Sequence, residues 1–171
     1  LPVGNAGNIT AYWKGYKEYR SDRMCSQLPA MWGFQAAGSA PIVKGKIVKN
    51  PNTIATAIRI GNPASWQQAI DARDSSGGLI DAVTDKEILA AYHLIASKEG
   101  IFVEPSSAAG LAGLIKYQKA GKLPKNKTIV ITVTGHGLKD IPWALEGAKK
   151  PVVVPVSVKA AAKALGLSSN G

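Results

Sequence analysis

An unbroken run of β-branched residues lies late in the chain, at residues 128–133 (Thr-Ile-Val-Ile-Thr-Val). Hydrophobic and strongly polar residues do not alternate in this run, as they would in a strand with one face in water. A continuous run of this kind is typical of a strand buried on both faces of a parallel sheet. We therefore predict a strand over residues 127–134, in a sheet that helices cover on both sides.

The rest of the chain alternates between short apolar runs and helical segments. Further strands are predicted at residues 31–35, 53–60, 79–83, 101–103 and 152–156. Helices are predicted at residues 9–19, 65–73, 107–120 and 158–165, and a further one begins after Thr84, which forms a capping box with Glu87. Residues 168–171 are expected to be a frayed tail. Strands that alternate with helices of about 10–15 residues predict an α/β fold with a mostly parallel sheet and helices on both faces.

Composition excludes several classes of protein. The net charge is +10, but the lysines are scattered and no nucleic-acid-binding motif accompanies them, so nucleic-acid binding is not expected. Cys25 is the only cysteine, and His93 and His136 are far apart, so no metal site is expected. No apolar run approaches the roughly 20 residues that span a bilayer, and we expect no membrane partner. The single cysteine suits a reducing compartment and favours a cytoplasmic location, with a plastid as the alternative.

A glycine-rich turn precedes the first predicted helix. Residues 3–9 read Val-Gly-Asn-Ala-Gly-Asn-Ile. Glycines let the backbone turn tightly, and the positive end of the following helix attracts anions, so the segment can cradle a phosphate group. Its spacing matches neither a dinucleotide fingerprint nor a P-loop. An ordinary tight turn between a strand and a helix would look the same, and spacing alone leaves both readings open.

A second polar turn follows the strand predicted at residues 127–134. It reads Thr-Gly-His-Gly-Leu-Lys-Asp at residues 134–140. The Thr134 hydroxyl could point into a crevice and form a hydrogen bond with a ring nitrogen without adding charge. Alternatively, Thr134 stabilises the bend itself. His136 is either an acid–base group or, as is more common for a lone histidine in a loop, a surface or hydrogen-bonding residue.

Five runs, in this order, resemble threonine synthase, a fold-type II pyridoxal-phosphate enzyme. They lie at residues 4–8, 31–38, 55–63, 103–109 and 134–140, and the resemblance covers nearly the whole chain. The resemblance implies pyridoxal 5'-phosphate as the cofactor. It also implies that Thr134 faces the pyridine nitrogen. By the same resemblance, the cofactor phosphate is bound by the backbone amides of Gly4, Asn5, Ala6, Gly7 and Asn8.

The reaction implied by the resemblance converts O-phosphohomoserine and water to threonine and phosphate. In this family the Schiff-base lysine lies upstream of the phosphate loop, in a part that this sequence does not contain. Residues 1–171 would then be the C-terminal portion of the cofactor-binding catalytic domain, inactive alone and without a catalytic residue of its own. Lys139 belongs to the Thr-Gly-His-Gly segment and is not assigned as that lysine. Glu104 and Arg59 are expected to have structural roles, with Arg59 pairing with a buried carboxylate.

Other readings remain open. The chain could belong to another fold-type II enzyme, such as a threonine or serine dehydratase or a β-replacement enzyme. The run at 134–140 favours the synthase, because those relatives tend to have a Ser-Gly-Gly-Asn type of sequence there. A third reading is a non-catalytic module that binds a phosphate-bearing ligand. The complete enzyme is expected to be a homodimer that binds a small-molecule substrate, and this chain alone is expected to expose apolar surface.

Overall fold

The computed structural model describes residues 1–146 and 150–167. Its helices are α1 (Gly7–Ser21), α2 (Pro41–Lys44), α3 (Trp66–Ser75), α4 (Asp85–Glu99), α5 (Pro105–Lys119), α6 (Ile141–Leu145) and α7 (Val158–Ala164). Its strands are β1 (Trp32–Ala36) and β2 (Leu79–Val83), and short 3-10 helices cover Thr56–Ile58 and Gly137–Asp140. Of the helices in the described ranges, none is long and apolar enough to cross a membrane.

The sheet is parallel. β1 and β2 pair with Trp32 opposite Leu79 and Ala36 opposite Val83. The first residues of the chain extend the sheet on the other edge of β1, where Val3 N donates to the carbonyl oxygen of Phe34 at 2.9 Å. The strands predicted at 31–35 and 79–83 are confirmed.

Helices cover both faces of this sheet. On one face, Phe34 and Val83 pack with Ile88 of α4 and Ala109 of α5. On the opposite face, the core draws on the N-terminal segment, α1, α2 and α3 and comprises Val3, Ala6, Ile9, Trp13, Met31, Ile42, Ala69 and Ala72. Neighbouring residues of β2 pack into the two cores alternately, because successive side chains of a strand point to opposite faces of the sheet. The predicted α/β class, with a parallel sheet between layers of helices, is confirmed.

The predicted helices also form. α4 begins at the capping box, in which the Thr84 hydroxyl accepts from Glu87 N at 3.2 Å and the Glu87 carboxylate accepts from Thr84 N at 2.7 Å. α5 begins at Pro105, two residues before the predicted start, because proline suits the first turn of a helix. The predicted tail at 168–171 lies outside the described residues.

The strand predicted at residues 53–60 is wrong. Thr56–Ile58 form a 3-10 helix instead. Side chains satisfy the backbone around it, since Asp85 accepts from Ile54 N at 3.1 Å and the Thr53 hydroxyl accepts from Ala55 N at 3.1 Å. Local bonds of this kind compete with the hydrogen bonds of a sheet, so the β-branched residues do not form a strand.

The strands predicted at 127–134 and 152–156 are also wrong. Neither segment is assigned to a strand, because none of the described residues pairs with it in a ladder. Within the part of the chain that the structure describes, the segment 101–103 makes a single isolated bridge, between Val103 and His136. Without a neighbouring strand and a covering helix, apolar side chains remain in water, and Val130 is 79% exposed. This exposure agrees with the expectation that the chain alone presents apolar surface.

Candidate functional site

The turn before α1 is held tightly against the rest of the fold. A Cβ atom on Gly4 would lie 2.9 Å from both the carbonyl oxygen of Ala57 and the Cα of Ile58, so this position requires glycine. Ala6 has a φ of 67°, in the left-handed region, and α1 begins at the next residue. The predicted strand-to-helix turn therefore exists, with its backbone in an unusual conformation.

Asn5 fixes the turn to the start of α3. Its Oδ1 atom accepts a hydrogen bond from Ala64 N at 2.7 Å, and its carbonyl oxygen accepts one from Ser65 N at 3.1 Å. The side-chain amide oxygen is therefore used within the protein. What Asn5 can offer to a ligand is its backbone N–H and its side-chain NH₂ group.

The N-terminal end of α1 has the features of an anion site. No side chain in the described part of the chain caps it, and its first turn contains no acidic residue. Gly7 and Asn8 are exposed, and a Cβ atom on Gly7 would meet no atom of residues 1–146 or 150–167 within 4 Å. Because the first N–H groups of a helix have no partner within the helix and carry partial positive charge, they can bind a phosphate group. The donors present at this end fit the phosphate of the implied cofactor.

Thr134 is anchored to the first turn of α5 by Ser107. The Ser107 Oγ atom lies 2.9 Å from Thr134 Oγ1, and it accepts from Thr134 N at 3.0 Å and from Gly135 N at 2.8 Å. Ser107 is fully buried, whereas Thr134 is exposed. A neutral hydroxyl is thus held in place with its outer side accessible, which fits hydrogen bonding to a pyridine nitrogen.

Glu104 packs beneath the same turn. Its side chain is 3% exposed, and Oε2 lies 3.5 Å from the Nζ atom of Lys139, whose side chain is 62% exposed. Glu104 N also donates to the carbonyl oxygen of Gly135 at 2.8 Å, and a Cβ atom on Gly135 would overlap the Glu104 carboxylate. The expected structural role of Glu104, at the N-terminal end of α5, fits this packing. Lys139 is engaged with Glu104.

His136 has a hydrogen-bonding role. Its Nδ1 atom accepts from Leu138 N at 3.2 Å, and its ring packs edge-on against Phe102, with centroids 5.4 Å apart. The contact requires an unprotonated Nδ1, so the proton of the neutral ring lies on Nε2. Of the two roles considered for His136, the geometry favours the hydrogen-bonding one. Arg59 is exposed and forms no ion pair among the described residues, so its expected pairing with a buried carboxylate is wrong.

The Thr56–Ile58 turn contacts both candidate segments. Gly4 packs against its backbone on one side, and the Thr56 hydroxyl donates to Oδ2 of Asp140 at 2.6 Å on the other. Ser107, Thr56 and Asp140 were not predicted from the sequence as parts of the site. The role of Thr56 was missed because residues 53–60 were interpreted as a strand.

A cavity of about 730 Å³ lies elsewhere, between the region around β1 and residues 127–132. Tyr12, Trp32 and Ile129 are among its lining residues, whereas residues 4–8 and Thr134 are not. We therefore place the candidate site at the two polar turns and not in this cavity. The cavity walls include the residues of the predicted strand that has no sheet neighbour.

The fold and the two turns define a class of α/β enzyme, and comparison with known proteins identifies it. Residues 1–135 match the family described as pyridoxal-phosphate dependent enzyme, and the chain belongs to that family. The cofactor of this family is pyridoxal phosphate, as predicted.

Within the family, the chain is similar to proteins named threonine synthase. It is 56% identical to the one from Mycobacterium leprae (strain TN), over 98% of this chain and 46% of that protein. It is 54% identical to the one from Halalkalibacterium halodurans, over 91% of this chain and 44% of that protein. The chain thus spans about half the length of these curated relatives. The predicted resemblance to threonine synthase is confirmed.

The solved structures agree on the fold. A fungal L-serine ammonia-lyase from Rhizomucor miehei superimposes with a TM-score of 0.63 at 22% identity. The match covers 84% of this chain and 47% of that one. At this identity the likeness supports the fold alone.

Proposed function

We propose that this chain is the C-terminal, cofactor-binding portion of a threonine synthase. The complete enzyme would convert O-phosphohomoserine and water to threonine and phosphate. The observation that carries the proposal is the 56% identity to a threonine synthase over 98% of the chain. The geometry of the two turns supports it, because each offers the kind of donor that one end of pyridoxal phosphate needs.

The residues of the first turn would hold the cofactor phosphate. We assign this role to the backbone N–H groups of Gly4, Asn5, Ala6, Gly7 and Asn8. The open, uncapped end of α1 supports the assignment, since a side-chain cap would already use these donors. Gly4 and Ala6 would set the shape of the loop, and the exposed Gly7 and Asn8 would face the anion.

Thr134 would face the other end of the cofactor. When bound, pyridoxal phosphate supplies an electron sink for negative charge on the substrate, and the protein tunes it through the groups around the ring. A carboxylate beside the ring nitrogen would favour the protonated ring, whereas the Thr134 hydroxyl adds no charge. Thr134 would therefore orient the ring and keep its nitrogen largely unprotonated.

The covalent lysine is proposed to lie in a segment that precedes Leu1 in the complete protein. Lys139 is not assigned as that lysine, because its Nζ atom pairs with Oε2 of Glu104 at 3.5 Å. We further propose that the complete enzyme is a homodimer and acts in the cytoplasm. The chain's single cysteine is compatible with that reducing compartment.

A dehydratase is the competing reaction. The ammonia-lyase likeness does not favour it, because 22% identity carries the fold only. The run at residues 134–140 supports the synthase, since it has the Thr-Gly-His-Gly-Leu-Lys-Asp pattern of that family. The third reading, a non-catalytic phosphate module, differs from both in needing no lysine.

The test uses the protein expressed from its complete open reading frame, with the 171-residue chain as the control. We expect the long protein to show a visible absorption band that borohydride removes. We also expect it to release phosphate and form threonine from O-phosphohomoserine, whereas the short chain does neither. Ammonia release from threonine or serine without phosphate chemistry would identify a dehydratase. Absence of the band from both proteins would favour the binding module.

A further inference from the structure

Ser107 is a fully buried serine whose hydroxyl, among the described residues, forms hydrogen bonds only with the turn that carries Thr134 and Gly135. It lies in the first turn of α5, 27 residues before Thr134. The backbone N–H groups of Thr134 and Gly135 both donate to its Oγ atom, at 3.0 Å and 2.8 Å. Two donors thus share one oxygen. Counting the hydrogen and the lone pairs of this hydroxyl therefore assigns the direction of its remaining hydrogen bonds.

A hydroxyl has one hydrogen to donate and two lone pairs that accept. The two N–H groups occupy both lone pairs of Ser107 Oγ. Thr134 Oγ1, at 2.9 Å, can therefore not be a third donor to Ser107 and must be the acceptor. The other acceptor within reach, the carbonyl oxygen of Gly135, is at 3.4 Å, so the hydrogen is better placed toward Thr134.

This count leaves the hydrogen of the Thr134 hydroxyl unused in the contact with Ser107. Because Oγ1 accepts from Ser107, the hydrogen of Thr134 is free to point away from the protein. Thr134 is exposed, whereas Ser107 is buried. The pair thus leaves the hydroxyl hydrogen of Thr134 available as a donor to whatever lies beyond it.

We propose that Ser107 is a positioning residue that holds the Thr134 hydroxyl so that its hydrogen is free to donate to an unprotonated ring nitrogen of the cofactor. The inference rests on the proposed function, in which Thr134 faces that nitrogen. An unprotonated pyridine nitrogen is an acceptor, so the free hydrogen of Thr134 matches it. Ser107 thereby supports this hydrogen bond without touching the ring.

Ser106 provides a matched comparison within the same turn of α5. It is also buried, at 1% exposure, but its Oγ atom has no hydrogen-bond partner among the described residues. Truncating Ser106 to alanine removes a hydroxyl of the same kind from the same helix without touching Thr134. Any loss of helix packing should therefore appear in both variants, whereas an effect on the cofactor should appear in one.

The experiment uses the full-length protein loaded with cofactor that carries a ¹⁵N label at the ring nitrogen. The variants are Ser107→Ala, Ser106→Ala, Thr134→Val and Thr134→Ser, together with the double variant of Ser107→Ala and Thr134→Val. The readouts are the ¹⁵N resonance of the ring nitrogen as a function of pH and the cofactor affinity. Ser107→Cys is added because a thiol nearly preserves the volume and donates only weakly, which keeps the test valid should the alanine variant not fold.

We expect Thr134→Val to move the nitrogen resonance downfield and to weaken cofactor affinity about five-fold, the loss of one hydrogen bond. Ser107→Ala should move the resonance the same way by a smaller amount, and Ser107→Cys less again. Ser106→Ala and Thr134→Ser should resemble the unsubstituted protein. The double variant should match Thr134→Val alone, because Ser107 acts through that hydroxyl.

Two results would overturn the inference. One leaves the proposed cofactor site intact, and the other also removes Thr134 from it. If Thr134→Val moves the resonance and the Ser107 variants do not, Ser107 is only structural and the proposed site stands. If Thr134→Val leaves the resonance unchanged, Thr134 does not face the ring nitrogen. In that case both the assignment of Thr134 under the proposed function and the role of Ser107 fail.

Discussion

The Nζ atom of Lys116, on α5, lies 2.7 Å from Oδ2 of Asp81, on β2, and 2.8 Å from the carbonyl oxygen of Ala82. Both side chains of the ion pair are partly buried, at 37% and 27% exposure. The pair therefore joins the helix that positions Ser107 to the parallel sheet. Because α5 also packs against both strands, this tie fastens the C-terminal part of α5 to the sheet.

Replacing Asp81 should destabilise the fold in a pH-dependent way. Burial alone would raise the pKa of Asp81, but the hydrogen bond from Lys116, the Ala82 N–H and the Lys116 charge outweigh it, so its pKa is lowered. A group with a lowered pKa stabilises the folded state above its unfolded pKa, about 4 for aspartate, and this stabilisation is lost as the pH falls through the lowered value. We expect Asp81→Asn to cost about 1–2 kcal/mol at pH 7 and far less in acid.

Denaturant unfolding at a series of pH values measures this difference. Asp74→Asn is the control, because Asp74 pairs with the adjacent Arg73 at the surface, where its side chain is 60% exposed. The control should leave the unfolding midpoint unchanged. A cost for Asp81→Asn that stays constant down to pH 2 would contradict the proposed electrostatic origin.

Gly113 should not tolerate alanine, although alanine favours helices. A Cβ atom at this position in α5 would overlap the ring of Phe34, which is 1% exposed in the core. Overpacking of a core costs about 1–3 kcal/mol, which exceeds the roughly 1 kcal/mol gained in helix propensity. We expect Gly113→Ala to lower the free energy of unfolding, measured by chemical denaturation.

Gly110→Ala is the matched variant on the same helix. The nearest atoms to a Cβ there lie at 3.4 Å and beyond, which is ordinary contact. This change should therefore be neutral or stabilising. Equal effects of the two substitutions would show that the close approach of α5 to Phe34 is not what requires glycine.

The capping box at the start of α4 should contribute measurable stability. Thr84→Ala removes the hydroxyl that accepts from Glu87 N at 3.2 Å, and the loss of an N-cap typically costs about 1 kcal/mol. Thermal unfolding checks the value. Ser97→Ala, an exposed serine later in α4, is the control and should stay within about 0.5 kcal/mol of the parent protein. A larger effect of the control would mean that general helix propensity, and not capping, dominates.

Gly7→Ala should separate cofactor binding from folding. A Cβ atom on Gly7 has open space within the protein, so we expect unfolding of the cofactor-free protein to be unchanged. It would crowd the anion proposed to bind at the end of α1. Cofactor affinity in the full-length protein should therefore fall about ten-fold, which corresponds to the loss of one charge-assisted hydrogen bond. Titration of the cofactor-free protein with pyridoxal phosphate measures this.

Gly15→Ala provides the comparison for that titration. Gly15 lies in the same helix, and a Cβ atom there also meets nothing within 4 Å. Its affinity for the cofactor should be unaltered. If both variants bind pyridoxal phosphate as tightly as the parent, the end of α1 is not the phosphate site.

Local chemistry was sufficient to predict much of this chain. The capping box of Thr84 and Glu87 lies within four consecutive residues, so its residues determine the start of α4 wherever the helix packs. The strands at β1 and β2 were recognisable from their apolar runs, and the glycine-rich turn before α1 was recognisable from its spacing. The five runs that resemble threonine synthase indicated the family by their residues alone.

The features that depend on residues distant in the sequence were determined by the tertiary structure. Residues 127–134 have the composition of a buried strand, yet a strand requires a neighbour to pair with, and none of the described residues provides one. Residues 53–60 have similar composition, but Asp85, Thr53 and Asp140 satisfy that segment's polar groups in another way. Thr134 could be selected from its motif, whereas its dependence on Ser107 could not. Twenty-seven residues separate the two hydroxyls, and only the folded chain brings them to 2.9 Å.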